Sequence, residues 1–137
     1  MALFGQKDYQ QFLVITRMVA LLKMPVKLVM CPILREPDGL AMSSRNVHLS
    51  AADHEHALVL SKTLGWVKQH FERGKIAELK KQAEDTISQV PDVQLAYFEI
   101  ADANNLHPAT KDTQNVIALV AAKVGNTRLI DNMILIG

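Results

Sequence analysis

Two short stretches of this 137-residue chain carry residue types and spacings that suit chemistry on a phosphate. The first is "GQKDYQQ", Gly5 to Gln11, and the second is "CPILREPDGLAMSSRN", Cys31 to Asn46. In the first, Lys7 offers a compact positive charge and Asp8 a carboxylate for a ribose hydroxyl or a helix N-cap. Gln11 lies one helical turn further on, on the same side, and can both donate and accept. Gly5 leaves room for a ligand near the backbone, and a helix N-terminus after it would present free N–H groups and positive dipole. In the second stretch, Pro37-Asp38-Gly39 marks a turn in which Gly39 can take positive φ. Beyond it stand Ser43 and Ser44, two hydroxyl donors, and Arg45, a planar fork of five donors matched to phosphate. A loop with such donors suits an anionic leaving group whose charge grows in the transition state. The same residues also fit plainer roles: Lys7 as a solvated lysine, Asp8 as an N-cap, the serines as caps and Arg45 as a snorkelling side chain.

These residues need elements to hold them. "ALFG" (Ala2–Gly5) reads as a short strand stopped by glycine. "DYQQFLVITRMVALLK" places Phe12, Ile15, Val19 and Leu22 at helical spacing, with Asp8 able to cap it and Pro25 ending the helical region. "VKLVMCPI" (Val26–Ile33) is rich in branched residues, as a second strand should be. Strand, helix and strand in this order make a βαβ unit of a parallel sheet, and such sheets bind ligands at the carboxyl ends of their strands. Both chemistry-bearing stretches leave from those ends.

After Asn46 the pattern changes. Ser50 and Asp53 form a capping box ahead of a helix that Gly74 would stop, and a second helix over Ile76–Val90 carries Ile76, Leu79, Ala83 and Ile87 on one stripe. Three strand-like runs follow, "VQLAYFEIAD", "NVIALVAAKVG" and "TRLIDNMILIG", with Gly125-Asn126 as a hairpin turn. Helices followed by strands predict an α+β unit with a small antiparallel sheet. The fold expected is thus α/β plus α+β.

Composition narrows the function. The chain is 49% hydrophobic and 21% charged with a net charge of +1, which gives no polybasic or acidic tract for nucleic acid or a membrane surface. The one cysteine, Cys31, excludes an internal disulfide and reads as a buried inert thiol at a strand end. No apolar run is long enough to span a bilayer and no secretory signal is visible, so a reducing cytoplasm is the expected location. His54 and His56, two apart in a first helical turn, point to different faces and read as surface rather than as a metal site, and His48 reads as a packing or rim residue. Trp66 and Phe71 are expected in a core or interface, Met18, Met24 and Met30 as apolar filler, and Arg128 with Asp131 as a structural ion pair. The opening "MALFGQKDYQQ" starts inside an element, as a fragment of a larger fold would.

Three segments taken together resemble one family. "FGQKDYQQ" (Phe4–Gln11), "PILREPDGLAMSSRN" (Pro32–Asn46) and "AAKVGNTRLIDN" (Ala121–Asn132) are similar, in order and separation, to signature segments of the pantothenate synthetases, the pantoate–β-alanine ligases. The middle one resembles that family's version of the KMSKS loop of class I aminoacyl-tRNA synthetase-like nucleotidyltransferases. The resemblance implies a two-step ligation: pantoate and ATP give pantoyl adenylate and pyrophosphate, and β-alanine then gives pantothenate and AMP. It implies ATP contacts for Gly5, Gln6, Lys7, Asp8, Leu34 (through its backbone, to adenine), Met42, Ser43, Ser44 and Arg45. Catalytic roles fall to Lys7, Ser43, Ser44 and Arg45, pantoate binding to Gln11, and Mg²⁺ is the expected charge partner of the triphosphate, with no protein metal ligand assigned. A homodimer is expected, with no nucleic-acid or membrane partner.

The family's His-x-Gly-His segment has no counterpart among His48, His54, His56, His70 and His107. The chain therefore looks like the C-terminal half of such an enzyme. Residues 1–46 would be the end of a Rossmann-like nucleotide-binding domain with its KMSKS-like loop, and 47–137 a C-terminal α+β domain. Inactivity of the chain alone is the corresponding expectation. A non-catalytic folding or oligomerisation module derived from the enzyme is the alternative.

Overall fold

The computed structural model describes residues 1–136. Its elements run β1 (Ala2–Gly5), α1 (Tyr9–Leu21), β2 (Leu28–Cys31), α2 (Ala51–Gln69), α3 (Ile76–Ser88), β3 (Val93–Asp102), β4 (Val116–Val124) and β5 (Thr127–Ile136). β1 and β2 pair in parallel, Ala2 opposite Leu28 and Gly5 opposite Cys31, with α1 as the connection between them. β3, β4 and β5 form an antiparallel sheet in that order. The architecture is mixed α/β with a three-stranded antiparallel sheet, as the order of apolar runs predicted.

Alternation along β4 explains how the molecule is layered. Val116, Ala118, Val120, Ala122 and Val124 face α2 and α3, where they join Leu60, Leu64, Val67, Ala83, Ile87 and Phe98 in the main core. Ile117 and Leu119 point the other way, toward Tyr9 and Leu13 of α1 and Met30 of β2. A strand covered on both faces has to be apolar there, which is why Val116–Ala122 reads as an unbroken apolar run before the exposed Lys123. In β3 the inward set changes phase: Val93 and Leu95 face the main core, then Phe98 and Ile100. A register shift between Leu95 and Tyr97 inserts the extra residue that flips the alternation. Each fully buried Leu, Phe or Ile side chain there contributes about 1.5–3 kcal/mol.

Ser50 caps α2, its hydroxyl accepting from the Asp53 N–H at 3.0 Å. The Asp53 carboxylate lies instead against Gly125 at the β4–β5 turn, in the space a Cβ would occupy, and Gly125 has φ +57°. Several ends differ from the sequence reading. α1 stops at Leu21 because Lys23 (φ 52°) adopts the left-handed conformation of a Schellman motif. Met24 N–H then donates to Val19 and Lys23 N–H to Ala20, ahead of Pro25. α2 ends at Gln69, and Gly74 lies in a separate 3-10 turn, Arg73–Lys75. Trp66 is not a core residue: it stacks on His70 at the surface, whereas Phe71 packs against the core. Met18 and Met24 are exposed, and only Met30 fills an interior. Cys31 is half-buried rather than buried.

Candidate functional site

Both loops of interest leave the carboxyl ends of the parallel pair. After β1 the chain turns through a 3-10 turn, Gln6–Asp8, into α1; after β2 it runs through Pro32–Arg35 to the 37–39 turn, then to Ser43 and a 3-10 turn over Ser44–His48. An antiparallel bridge between Arg35 and Ala41 closes the hairpin-like second loop, with Gly39 at φ 98°. Asp38 Oδ1 accepts from Leu40 N–H at 3.1 Å, which tightens the turn.

Lys7 and Met42 bring the two loops together. Lys7 Nζ reaches the Met42 carbonyl at 3.4 Å, and the Met42 N–H donates to the Leu34 carbonyl at 2.9 Å. A cavity of about 440 Å³ lies beside this contact, lined by Gly5, Gln6, Lys7, Cys31, Leu34 and Met42 among others. Leu34 is 73% exposed, so its side chain leaves the rim open. Lys7 is not a plain solvated lysine: burial pushes its ammonium below its ordinary value, against the pull of Asp8 and Asp131, and the Arg45 charge adds to the lowering. Asp8 is exposed and makes no capping hydrogen bond, so capping does not account for its carboxylate. Gly5 has an ordinary extended backbone, and a Cβ there would meet nothing within 4 Å.

A second, larger cavity of about 800 Å³ opens on the other side of Lys7 and is lined by Asp8, Gln11, Val14, Arg128 and Asn132. Gln11 is thus on the same side as Lys7 and Asp8, as helical spacing requires. The serine–arginine segment is placed differently. Ser43 Oγ accepts from the Arg45 N–H at 3.1 Å, so it caps the following turn, and Ser44 is exposed. Arg45 Nη1 donates to the Arg128 carbonyl at 3.2 Å and lines a third crevice with His48, Asn126 and Thr127. The structure therefore collects Gly5, Gln6, Lys7, Leu34 and Met42 around one cavity and Lys7, Asp8 and Gln11 around the next. Ser44 and Arg45 lie to one side.

The polar centre of this region is a set, Arg35, Asp131 and Asn132, of which the sequence reading named only Asp131, and that with another partner. Arg35 makes a bidentate pair with Asp131 at 2.8 and 2.9 Å and also donates to the Gly39 carbonyl at 3.0 Å. Asn132 Nδ2 donates to the carbonyls of Gln6 at 2.8 Å and Lys7 at 3.2 Å, while its Oδ1 accepts from Gln6 Nε2 at 3.0 Å. The expected Arg128–Asp131 pair does not form. Residues three apart on a strand project from opposite faces, so Arg128 points away from Asp131, and Arg35 takes its place. A charge and an amide inside an otherwise apolar strand were the signal available in "TRLIDNMILIG".

The two histidines of α2 diverge, as their spacing implies, but each meets carboxylates. His54 Nε2 lies 2.6 Å from Asp38 Oδ2 and 3.7 Å from Glu36, and this hydrogen bond holds the Asp38 carboxyl below its ordinary value. His56 Nδ1 is 4.0 Å from Asp53 and 3.9 Å from Asp92. Among the described residues these two trios, Glu36–Asp38–His54 and Asp53–His56–Asp92, have potential metal-ligating atoms within 4.8 Å of one another. His48 is exposed at the rim of the Arg45 crevice. Among those residues, no helix is long and apolar enough to cross a membrane.

Comparison with known proteins puts this geometry in a family. Residues 1–134 match the family model described as pantoate-beta-alanine ligase. A pantothenate synthetase of Thermotoga petrophila is 47% identical over 98% of this chain and 49% of its own length. The crystal structure of pantothenate synthetase from Thermus thermophilus superposes with a TM-score of 0.90 at 37% identity, over 99% of this chain and 50% of that one. A pantoate-beta-alanine ligase from Francisella tularensis, solved with beta-gamma ATP and beta-alanine, aligns with a TM-score of 0.64 at 26% identity, over 97% of this chain and 42% of its own. The chain spans about half the length of the relatives it matches. By its sequence over residues 1–134 and by its fold, the chain belongs to the pantoate-beta-alanine ligase family.

Proposed function

We propose that this chain supplies the C-terminal half of a pantothenate synthetase, an ATP-dependent acid–amine ligase that forms AMP. In the reaction a pantoate carboxylate oxygen attacks the α-phosphorus of ATP and pyrophosphate leaves. The β-alanine amine then attacks the acyl carbon of pantoyl adenylate and AMP leaves. The observation that carries the reading is the meeting of Lys7, from the end of β1, with Met42, from the loop after β2, across one cavity. Two loops converging at the carboxyl ends of parallel strands suit a nucleotide.

In this reading Gly5, Gln6, Leu34 and Met42 frame the adenosine, Asp8 takes the ribose and Lys7 meets the phosphates. Ser43 and Arg45 leave their resting bonds and, with the exposed Ser44, grip the pyrophosphate as its charge grows, and Gln11 orients pantoate from the larger cavity. Catalysis would be electrostatic, through Lys7, Ser43, Ser44 and Arg45. Mg²⁺ fits as a passenger of the triphosphate: Asp131 is already occupied by Arg35, leaving no preformed carboxylate cage beside Lys7 among the described residues. When bound, the ion would neutralise phosphate charge. The division into a Rossmann-like portion over 1–46 and an α+β domain over 47–137, a homodimeric assembly and a cytoplasmic location belong to the same proposal.

The cavity wall at Gln11 and Val14 is open to solvent. The 137 residues by themselves would bind nucleotide without orienting pantoate for attack. Calorimetric titration with Mg-ATP is expected to give saturable binding, and an assay with ATP, pantoate and β-alanine to yield no pantothenate. Absence of ATP binding at millimolar nucleotide would overturn the assignment of the site, and pantothenate formation would overturn the inactivity. The second reading, a non-catalytic folding or oligomerisation module, is favoured by one observation, the exposed apolar side of α1.

A further inference from the structure

Asp131 and Asn132 are consecutive residues of β5, and consecutive residues of a strand face opposite sides of the sheet. Here the two directions lead to the two loops of the site. Asp131 receives Arg35, which also holds the Gly39 carbonyl, and so reaches the loop that carries Met42 to Arg45. Asn132 faces the other side, where its amide is bonded to Gln6 and Lys7. The Arg35 guanidinium touches the Asn132 carbonyl as well, at 3.4 Å, so the two contacts share one strut.

We propose that Asn132 is a positioning residue for nucleotide phosphate: by holding the carbonyls of Gln6 and Lys7 it fixes the 3-10 turn from which the Lys7 ammonium reaches the phosphates. Three features carry this. Asn132 is 2% exposed, so its bonds are not exchanged for water. Asparagine is a poor strand residue, and its presence in the middle of β5 is a local cost that packing does not explain. An amide alone among short side chains gives a donor for two carbonyls and an acceptor for the Gln6 amide in one group. Among the described residues the Lys7 ammonium has no hydrogen bond other than the long one to the Met42 carbonyl, so its position depends on the backbone under it.

The inference rests on the ATP site proposed above, and the test separates the two. Asn132→Asp keeps the acceptor for Gln6 and turns the donor into an oxygen facing two carbonyls. The full 137-residue chain and this variant are compared by titration with Mg-ATP and with AMP, and by amide hydrogen exchange. N132D is expected to weaken ATP about tenfold or more and AMP less than about threefold, since AMP has no β- or γ-phosphate for Lys7. Exchange should speed up at Lys7 and Asp8 and stay unchanged at Val120 and Ala122 of β4. Unchanged exchange at Lys7 and Asp8, or equal weakening of ATP and AMP with faster exchange across β4, overturns the proposal. If N132D does not fold, Asn132→Ala, which leaves a void instead of a buried charge, carries the same readouts. A wild-type chain that binds no ATP sinks the functional reading alone, and the exchange comparison still decides whether Asn132 orders the turn.

Discussion

Lys7 combines two requirements that oppose each other. To meet phosphate it must be charged, yet its half-buried place beside Met42 lowers its pKa through desolvation, with Asp8 and Asp131 offsetting part of the loss. The folded chain therefore releases this proton at a lower pH than the unfolded chain. Between the folded and unfolded values the unfolded state binds more protons, so this group's contribution to stability rises with pH there. Nucleotide binding runs the opposite way, because the form that binds phosphate is the one being lost. ATP affinity should fall on the alkaline side below pH 10.5, the ordinary lysine value, while Lys7→Arg should hold its affinity over the same range. At neutral pH Lys7→Ala should cost about 1.5–3 kcal/mol, roughly 10- to 150-fold in Kd, as expected for a charge-assisted hydrogen bond. Titration calorimetry across pH checks both, and a wild-type affinity flat up to the ordinary lysine range would refute the first.

At the scale of elements, the start of α2 and the β4–β5 turn are built against each other. Gly125 is required twice, by its positive φ and by the Asp53 carboxylate in the space of a side chain. Gly125→Ala should cost about 1–3 kcal/mol, read as a lowered Tm, and Asp53→Ala in the same chain should recover only the part due to the clash. Additive losses in the double variant would rule out the contact. The hairpin itself was legible, because Gly125-Asn126 between apolar runs is a local signal, and β1, β3 and the α3 stripe followed from periodicity in the same way. What could not be read depends on partners far away in sequence. The phase flip in β3 follows from its register with β4, the end of α1 from a lysine taking a left-handed conformation, and the Arg35–Asp131 pair from residues 96 apart. In the site, residue types located Lys7, Asp8 and Gln11 around shared space. They were silent on Asn132, whose role appears only when β5 is laid beside the end of β1.

For the whole molecule, the open demand is the outer side of α1. The sequence stripe of Phe12, Ile15 and Val19 is half-buried, but Leu22 from that stripe is exposed, and Val14, Met18 and Leu21 form an apolar groove on the other side. Val14 is 63% and Leu21 72% exposed. A helix apolar around most of its circumference is stable in water only when most of it is covered. In a solution of the 137-residue chain alone, the available cover is another copy, since the sheet β3–β5 already has helices on one face and α1 with β2 on the other. Sedimentation velocity should therefore show association that grows with concentration. Val14→Glu with Leu21→Glu should shift it toward monomer while changing stability by only about 0.5 kcal/mol for each exposed site, because neither side chain reaches the core. A monodisperse wild-type monomer at high concentration, or a doubly charged variant that associates as strongly as the wild type, would show that the groove on α1 is not the surface that associates.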